Sequence, residues 1–156
     1  MKFLPLLLIS FFVEVSWSLP IEFGFRVNSG QQQLADENQF DKYFELEMNL
    51  QYHFTNFFAA RLGGLGRFTD EHNYGGLEFS APLILEVKSL GLSTYMAPGY
   101  RYLNRGLSSP TLESGVTFRS LGNFGLGYRL ILNDWVKNGL KTEGQIFFSL
   151  HFGTRP

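Results

Sequence analysis

Residues 43–54 read Tyr-Phe-Glu-Leu-Glu-Met-Asn-Leu-Gln-Tyr-His-Phe. Phe44, Leu46, Met48, Leu50, Tyr52 and Phe54 alternate without a break with Glu45, Glu47, Asn49, Gln51 and His53. A period of two places the first set on one face of an extended strand and the second set on the other. The same alternation predicts seven more strands, over 21–28, 57–68, 77–88, 92–103, 111–120, 123–133 and 145–153. The connections alternate too. Thr55-Asn56, Ser89-Leu90-Gly91 and Leu121-Gly122 are tight, whereas 29–42, 69–76, 104–110 and 134–144 are longer and polar. All short turns therefore fall at one end and all long loops at the other. The predicted fold is all-β: an eight-stranded antiparallel up-and-down barrel with both termini at the short-turn end.

Composition agrees with this reading. The chain has 156 residues, one domain's worth, with an aromatic content of 17%, equal to its whole charged fraction, and 17 glycines. So much apolar area excludes disorder, and Gly, Phe and Tyr make poor long helices. Thirteen Lys and Arg against fourteen Asp and Glu leave no basic patch for nucleic acid. The absence of cysteine excludes disulfides, thiolate metal sites, cysteine nucleophiles and lipoprotein acylation.

Residues 1–18 carry a positive Lys2, an apolar run from Phe3 to Val13, and Ser16 and Ser18 at the positions a signal peptidase reads. The run is shorter than the ~20 residues of a membrane-spanning helix. It reads as a signal peptide cleaved after Ser18, leaving 19–156 as one exported barrel domain.

Alternation alone does not say which face points inward. A soluble ligand-binding barrel buries its apolar face; a membrane barrel turns it to lipid. Three features favour lipid. The apolar face carries no Asp, Glu, Lys or Arg in any of the eight strands. Its Phe, Tyr and Leu side chains are too bulky for an eight-stranded lumen, which is just wide enough for side chains. The small residues, Gly24, Ala59, Gly63, Ser80, Ser93, Ala97, Gly99, Gly115, Gly125 and Gly127, lie on the polar face, where long charged side chains need room. Tyr43, Phe44, Phe68, Tyr100 and Tyr102 then form a girdle toward the long loops. Phe54, Phe57, Phe58, Phe118, Phe124 and Phe152 form another toward the short turns.

With this leader, eight strands, tight turns at the terminal end and the segments Gly99-Tyr100-Arg101 and Gly127-Tyr128-Arg129, the chain resembles the small outer-membrane β-barrel proteins of Gram-negative bacteria. The resemblance implies an outer-membrane location, contact with outer-membrane lipid and insertion by the barrel-assembly machinery. Such proteins usually end on an aromatic residue, but here Phe152 is followed by Gly-Thr-Arg-Pro. Either Phe148-x-Leu150-x-Phe152 serves as the insertion signal or a short tail is tolerated.

The inward face carries Glu22, Glu45, Glu47, Glu78, Glu86 and Glu113, with Arg26, Arg61, Arg67, Lys88, Arg101, Arg119 and Arg129. Residues opposed across a hairpin share a face. Pairing Phe54 with Phe58 sets Glu45 opposite Arg67. Pairing Val87 with Leu92 sets Glu78 opposite Arg101, and pairing Phe118 with Phe124 sets Glu113 opposite Arg129. Arg61 and Arg67 are the expected partners of Glu45 and Glu47. The expectation is a charge-paired plug in a monomer with a structural or surface-interaction role; the alternative is a small passive channel. No nucleophile–base–orienter set indicates catalysis. His53-Phe54-Thr55-Asn56 resembles the His-x-Ser-Asn segment of outer-membrane lipid A deacylases. It has Thr for Ser, occupies a tight turn and points its histidine inward. His72 and His151 lie on separate elements, so no metal or cofactor is expected. Pro82 and Pro98, mid-strand and nearly opposite, predict a bulge or missing hydrogen bonds.

Overall fold

The computed structural model describes residues 20–33, 40–70, 72–104, 107–119, 123–133 and 141–153; the expected signal peptide and its cleavage site lie outside them. Nine strand segments form the wall: β1 (Ile21–Gln33), β2 (Phe40–Thr55), β3 (Phe58–Thr69), β4 (Asn73–Ser80), β5 (Leu83–Val87), β6 (Leu92–Leu103), β7 (Leu107–Phe118), β8 (Phe124–Asn133) and β9 (Lys141–Gly153). β4 and β5 are two halves of one stave, both lying between β3 and β6. Every pairing is antiparallel, and β9 returns to pair with β1. The result is a closed, eight-staved up-and-down barrel with no free edge.

The period-two pattern sorts the side chains as expected. Along β2, Glu45, Glu47, Asn49, Gln51 and His53 are buried, whereas Phe44, Leu46, Met48, Leu50, Tyr52 and Phe54 are exposed, Met48 to 63%. The other staves repeat this. A water-soluble protein does the reverse, and a continuous apolar belt over a carboxylate-filled interior is a surface solvated by hydrocarbon. At the short-turn end the rings of Phe54 and Phe58 stack with centroids 5.5 Å apart. Toward the long loops Phe44 and Phe68 lie 6.5 Å apart. Tyr43 is not part of that girdle. It is 4% exposed and points into the lumen, because it shares parity with Glu45 rather than with Phe44.

Five staves run further than the hydrophobic pattern indicates. The segments expected as loops 29–42, 69–76, 104–110 and 134–144 are partly strand: 29–33, 40–42, 73–76, 107–110 and 141–144 continue the ladders. Above the apolar belt both faces of a strand meet polar surroundings. Alternation fades there while the backbone still pairs. At the other end, Thr55 Oγ1 accepts hydrogen bonds from the amides of Phe57 (3.3 Å) and Phe58 (3.0 Å), closing a turn at Asn56-Phe57 beside a register shift. Lys88 opens a one-turn 3-10 segment, Lys88–Leu90, ended by Gly91 at φ 58°. It is exposed there rather than in the lumen, because the strand has already ended at Val87.

The proline seam has missing bonds but no bulge. Ser80 pairs with Gly99 and Leu83 with Met96 in one unbroken register, which places Ala81 opposite Pro98. The Ala81 amide donates to the Pro98 carbonyl (2.9 Å), and the Ala59 amide donates to the Pro82 carbonyl (3.0 Å). Neither proline can return the bond. Two hydrogen-bonded pairs are thus reduced to one bond each. Pro82 faces inward and Pro98 outward.

Small inward residues let the interior close. A Cβ at Gly127 would collide with the Phe147 ring and lie 2.5 Å from the Ser114 carbonyl, whereas one at outward-facing Gly64 would meet nothing within 4 Å. Gly127→Ala is expected to destabilise by about 1–3 kcal/mol through overpacking. Gly64→Ala is expected to be neutral or to gain about 0.5 kcal/mol from a less flexible unfolded chain. Urea midpoints in detergent micelles check the contrast, and equal effects would refute the inward and outward assignment.

Candidate functional site: the lumen charge network

Every stave contributes an ionised side chain to one buried cluster. Arg26 comes from β1, Glu45 and Glu47 from β2, Arg61 and Arg67 from β3, and Glu78 from β4. Arg101 comes from β6, Glu113 from β7, Arg129 from β8 and Glu143 from β9. The three hairpin pairs inferred from parity are present in the ladders: Glu45 opposite Arg67, Glu78 opposite Arg101 and Glu113 opposite Arg129.

Closure adds contacts across the lumen that no hairpin specifies. Arg26 Nη1 donates to Glu113 Oε2 at 2.6 Å, and Arg61 Nη2 lies 3.0 Å from Glu113 Oε1. The Tyr95 hydroxyl donates to that same oxygen at 2.7 Å. Arg129 Nη2 reaches Glu113 (2.9 Å), Glu47 (2.8 Å) and Glu78 (3.0 Å). Arg101 bridges Glu45 and Glu78 at 2.9 and 2.8 Å. Arg67 joins Glu45 (3.2 Å) to Glu143 (2.9 Å). Asn28 and Gln145 donate to Glu45 at 2.8 and 3.3 Å. Five carboxylates thus meet five guanidiniums, and their forked geometry allows the multiple short bonds that offset desolvation. Aromatic faces fill the remaining sides: Arg67 lies 4.0 Å from the Tyr43 ring centroid and Arg26 lies 4.7 Å from that of Phe147.

Of the twelve network residues inferred from sequence, Arg26, Glu45, Glu47, Arg61, Arg67, Glu78, Arg101, Glu113 and Arg129 share this cluster. Arg61 pairs with Glu113 instead of the expected Glu47, whose partner is Arg129. Glu86 and Arg119 pair with each other, separately and partly exposed, near the short turns. Glu22 stands apart as well. Its Oε2 lies 3.0 Å from His53 Nε2 and its Oε1 lies 2.8 Å from His151 Nδ1. His53 and His151, read as separate, are therefore gathered by one carboxylate. Among the described residues no group of three potential ligands is arranged to hold a metal.

Sequence reading missed Glu143, Tyr43, Tyr95, Asn28 and Gln145 as network members. The signal for Glu143 was present: it has the parity of Gln145 and Phe147, two and four residues on. It fell in a segment read as loop. A cavity of about 10 Å³ lies below the cluster, lined by Gln51, Arg61, Pro82, Ile84, Tyr95, Thr117 and His151. That volume suits about one water molecule.

No protein-family model matches the sequence, and no curated protein matches it. Solved structures do match the fold. The chain superposes on Neisserial surface protein A (NspA) with a TM-score of 0.69 at 12% identity, covering 86% of this chain and 97% of that one. It superposes on a de novo designed transmembrane β-barrel with a TM-score of 0.58 at 16% identity, covering 85% and 96%. At these identities the likeness is one of fold, and the fold is the small transmembrane β-barrel expected from the alternating strands.

Proposed function

We propose that this protein is a monomeric barrel of the bacterial outer membrane with a closed lumen, acting in envelope structure or surface interaction through its long-loop end. Outer-membrane lipid is its solvent, and the barrel-assembly machinery inserts it. The apolar belt and the likeness to NspA support the membrane reading. The ten-residue charge network, drawn from all eight staves and buried nearly completely, carries the reading of a closed interior. A water-filled pore would leave those side chains hydrated, whereas here guanidinium and carboxylate are held by one another. The same engagement argues for a structural or binding role over catalysis, since each clustered carboxylate already accepts from at least one arginine. The described segments that reach beyond the belt are the strand ends 29–33, 40–42, 73–76, 107–110 and 141–144.

Planar-bilayer recording tests this. The full-length barrel is expected to give no stable conductance. Sustained nanosiemens-scale openings would overturn the closed lumen in favour of a small passive channel.

A further inference from the structure

We propose that the outer wall carries a binding site for an anionic, phosphate-bearing lipid at the long-loop edge of the apolar belt. The inference rests on the membrane reading and adds to it one ligand class at one place. A groove of about 580 Å³ crosses β2, β1, β9 and β8 there, lined by Lys42, Gln31, Ser29, Gly144, Ile146 and Tyr128. It lies on the outside of the barrel, where Ser29, Gln31, Lys42, Tyr128 and Ile146 are all exposed.

The belt changes character at this spot. Along β1 the outward row passes from Phe25 and Val27 to Ser29 and Gln31, and along β2 from Leu46 and Phe44 to Lys42. The ladders join these residues. Gln31 lies opposite Lys42 on one side and Gly144 on the other. Two features make the wall recede. Ser29 is short between its larger partners Phe44 and Ile146. Gly144 has no side chain, and the Tyr128 ring leans across it; a Cβ at Gly144 would collide with the Tyr128 hydroxyl.

The groove is graded from polar to apolar. The paired row Lys42, Gln31, Gly144, Leu130 continues through Leu112, Pro98, Ala81 and Ala60 and returns to β2 at Tyr52, near the short turns. It therefore descends from Lys42 toward the bilayer centre. The upper end offers the Lys42 ammonium, the Gln31 amide and the Ser29 and Tyr128 hydroxyls as donors. The lower end offers Ile146 and the Tyr128 ring. No carboxylate is among the described lining residues, and Glu143, next to Gly144, turns inward to Arg67. A cation with neutral donors at the edge of hydrocarbon matches a phosphate joined to acyl chains. The phosphate takes Lys42, and one chain lies down against Ile146. The bilayer that the belt already contacts supplies this occupant.

The test is lipid binding to the full chain, folded in uncharged detergent micelles and read by native mass spectrometry. The probes are phosphatidylglycerol, diacylglycerol with the same acyl chains, and inorganic phosphate. The variants are Lys42→Gln, Ser29→Leu, which fills the groove and keeps the charge, and Lys88→Gln, at the exposed lysine of the short-turn end. Leucine suits a lipid-facing position, and heat-modifiable migration checks that each variant folds. The wild type is expected to bind phosphatidylglycerol about tenfold more tightly than diacylglycerol, the low end of what a hydrogen bond to a charged group contributes. Lys42→Gln and Ser29→Leu lose that preference, Lys88→Gln keeps it, and excess inorganic phosphate does not displace the lipid. Equal binding of the two lipids by the folded wild type overturns the site. So does an undiminished preference in Lys42→Gln or Ser29→Leu, its loss in Lys88→Gln, or displacement by inorganic phosphate. Those results leave the membrane barrel standing, whereas a chain that stays soluble without detergent overturns both.

Discussion

Glu113→Ala is expected to cost the barrel about 3–5 kcal/mol, the range for removing one partner from a buried ion pair. The residue accepts hydrogen bonds from Arg26, Arg129 and Tyr95 and forms an ion pair with Arg61 at 3.0 Å. Truncation removes the carboxylate beside Arg61, leaves Arg26 with only the more distant Glu47 (3.8 Å), takes one of three short carboxylate contacts from Arg129, and leaves the cluster with five cations against four anions. The variant is expected to unfold at lower urea in micelles and to lose the heat-modifiable form that marks a closed barrel. Glu86→Ala is the control. Its partner Arg119 is about a third exposed, and a solvated pair of that kind contributes about 0–1 kcal/mol. If Glu113→Ala and Glu86→Ala behaved alike, the network would have no role in holding the staves together.

Met48→Arg is expected to destabilise by about 2–4 kcal/mol in a lipid bilayer, the cost of a cation near the midplane of a barrel's lipid face. Met48 lies midway along the exposed row of β2, between Phe44 near the long loops and Phe54 near the short turns, and is 63% exposed. The same change at Phe54 is expected to cost about 0–1 kcal/mol, because an arginine at the interface reaches water. Unfolding free energies of the two variants in vesicles measure the depth dependence. Equal, small effects would mean that this face meets water and would restore the reading of a soluble barrel.

These two expectations rest on features of different legibility. The outward row of β2 was readable from twelve consecutive residues, because each strand lies between hydrocarbon and a polar lumen and so alternates strictly. Parity then restricted the hairpin registers enough to pair Glu45 with Arg67, Glu78 with Arg101 and Glu113 with Arg129. Reading failed where the two environments become alike. The strand ends at 29–33 and 141–144 have polar surroundings on both sides, so the alternation does not mark Glu143 as part of a strand. Tyr43 has the chemistry of a girdle residue, but its parity with Glu45 puts it inside.

Sequence by itself therefore determined the staves, their faces and the near-hairpin pairings, since these depend on neighbours that are close along the chain. Tertiary structure alone decided that Arg26 meets Glu113, 87 residues away, and that Arg129 reaches Glu47. It alone gathered His53 and His151 around Glu22. It also decided that the ladder passes Pro82 and Pro98 in register with two bonds missing. Each of these depends on the offset at which the sheet closes on itself. That offset sets which inward side chains share a level of the lumen, and it is a property of the whole ring that no single strand or turn encodes.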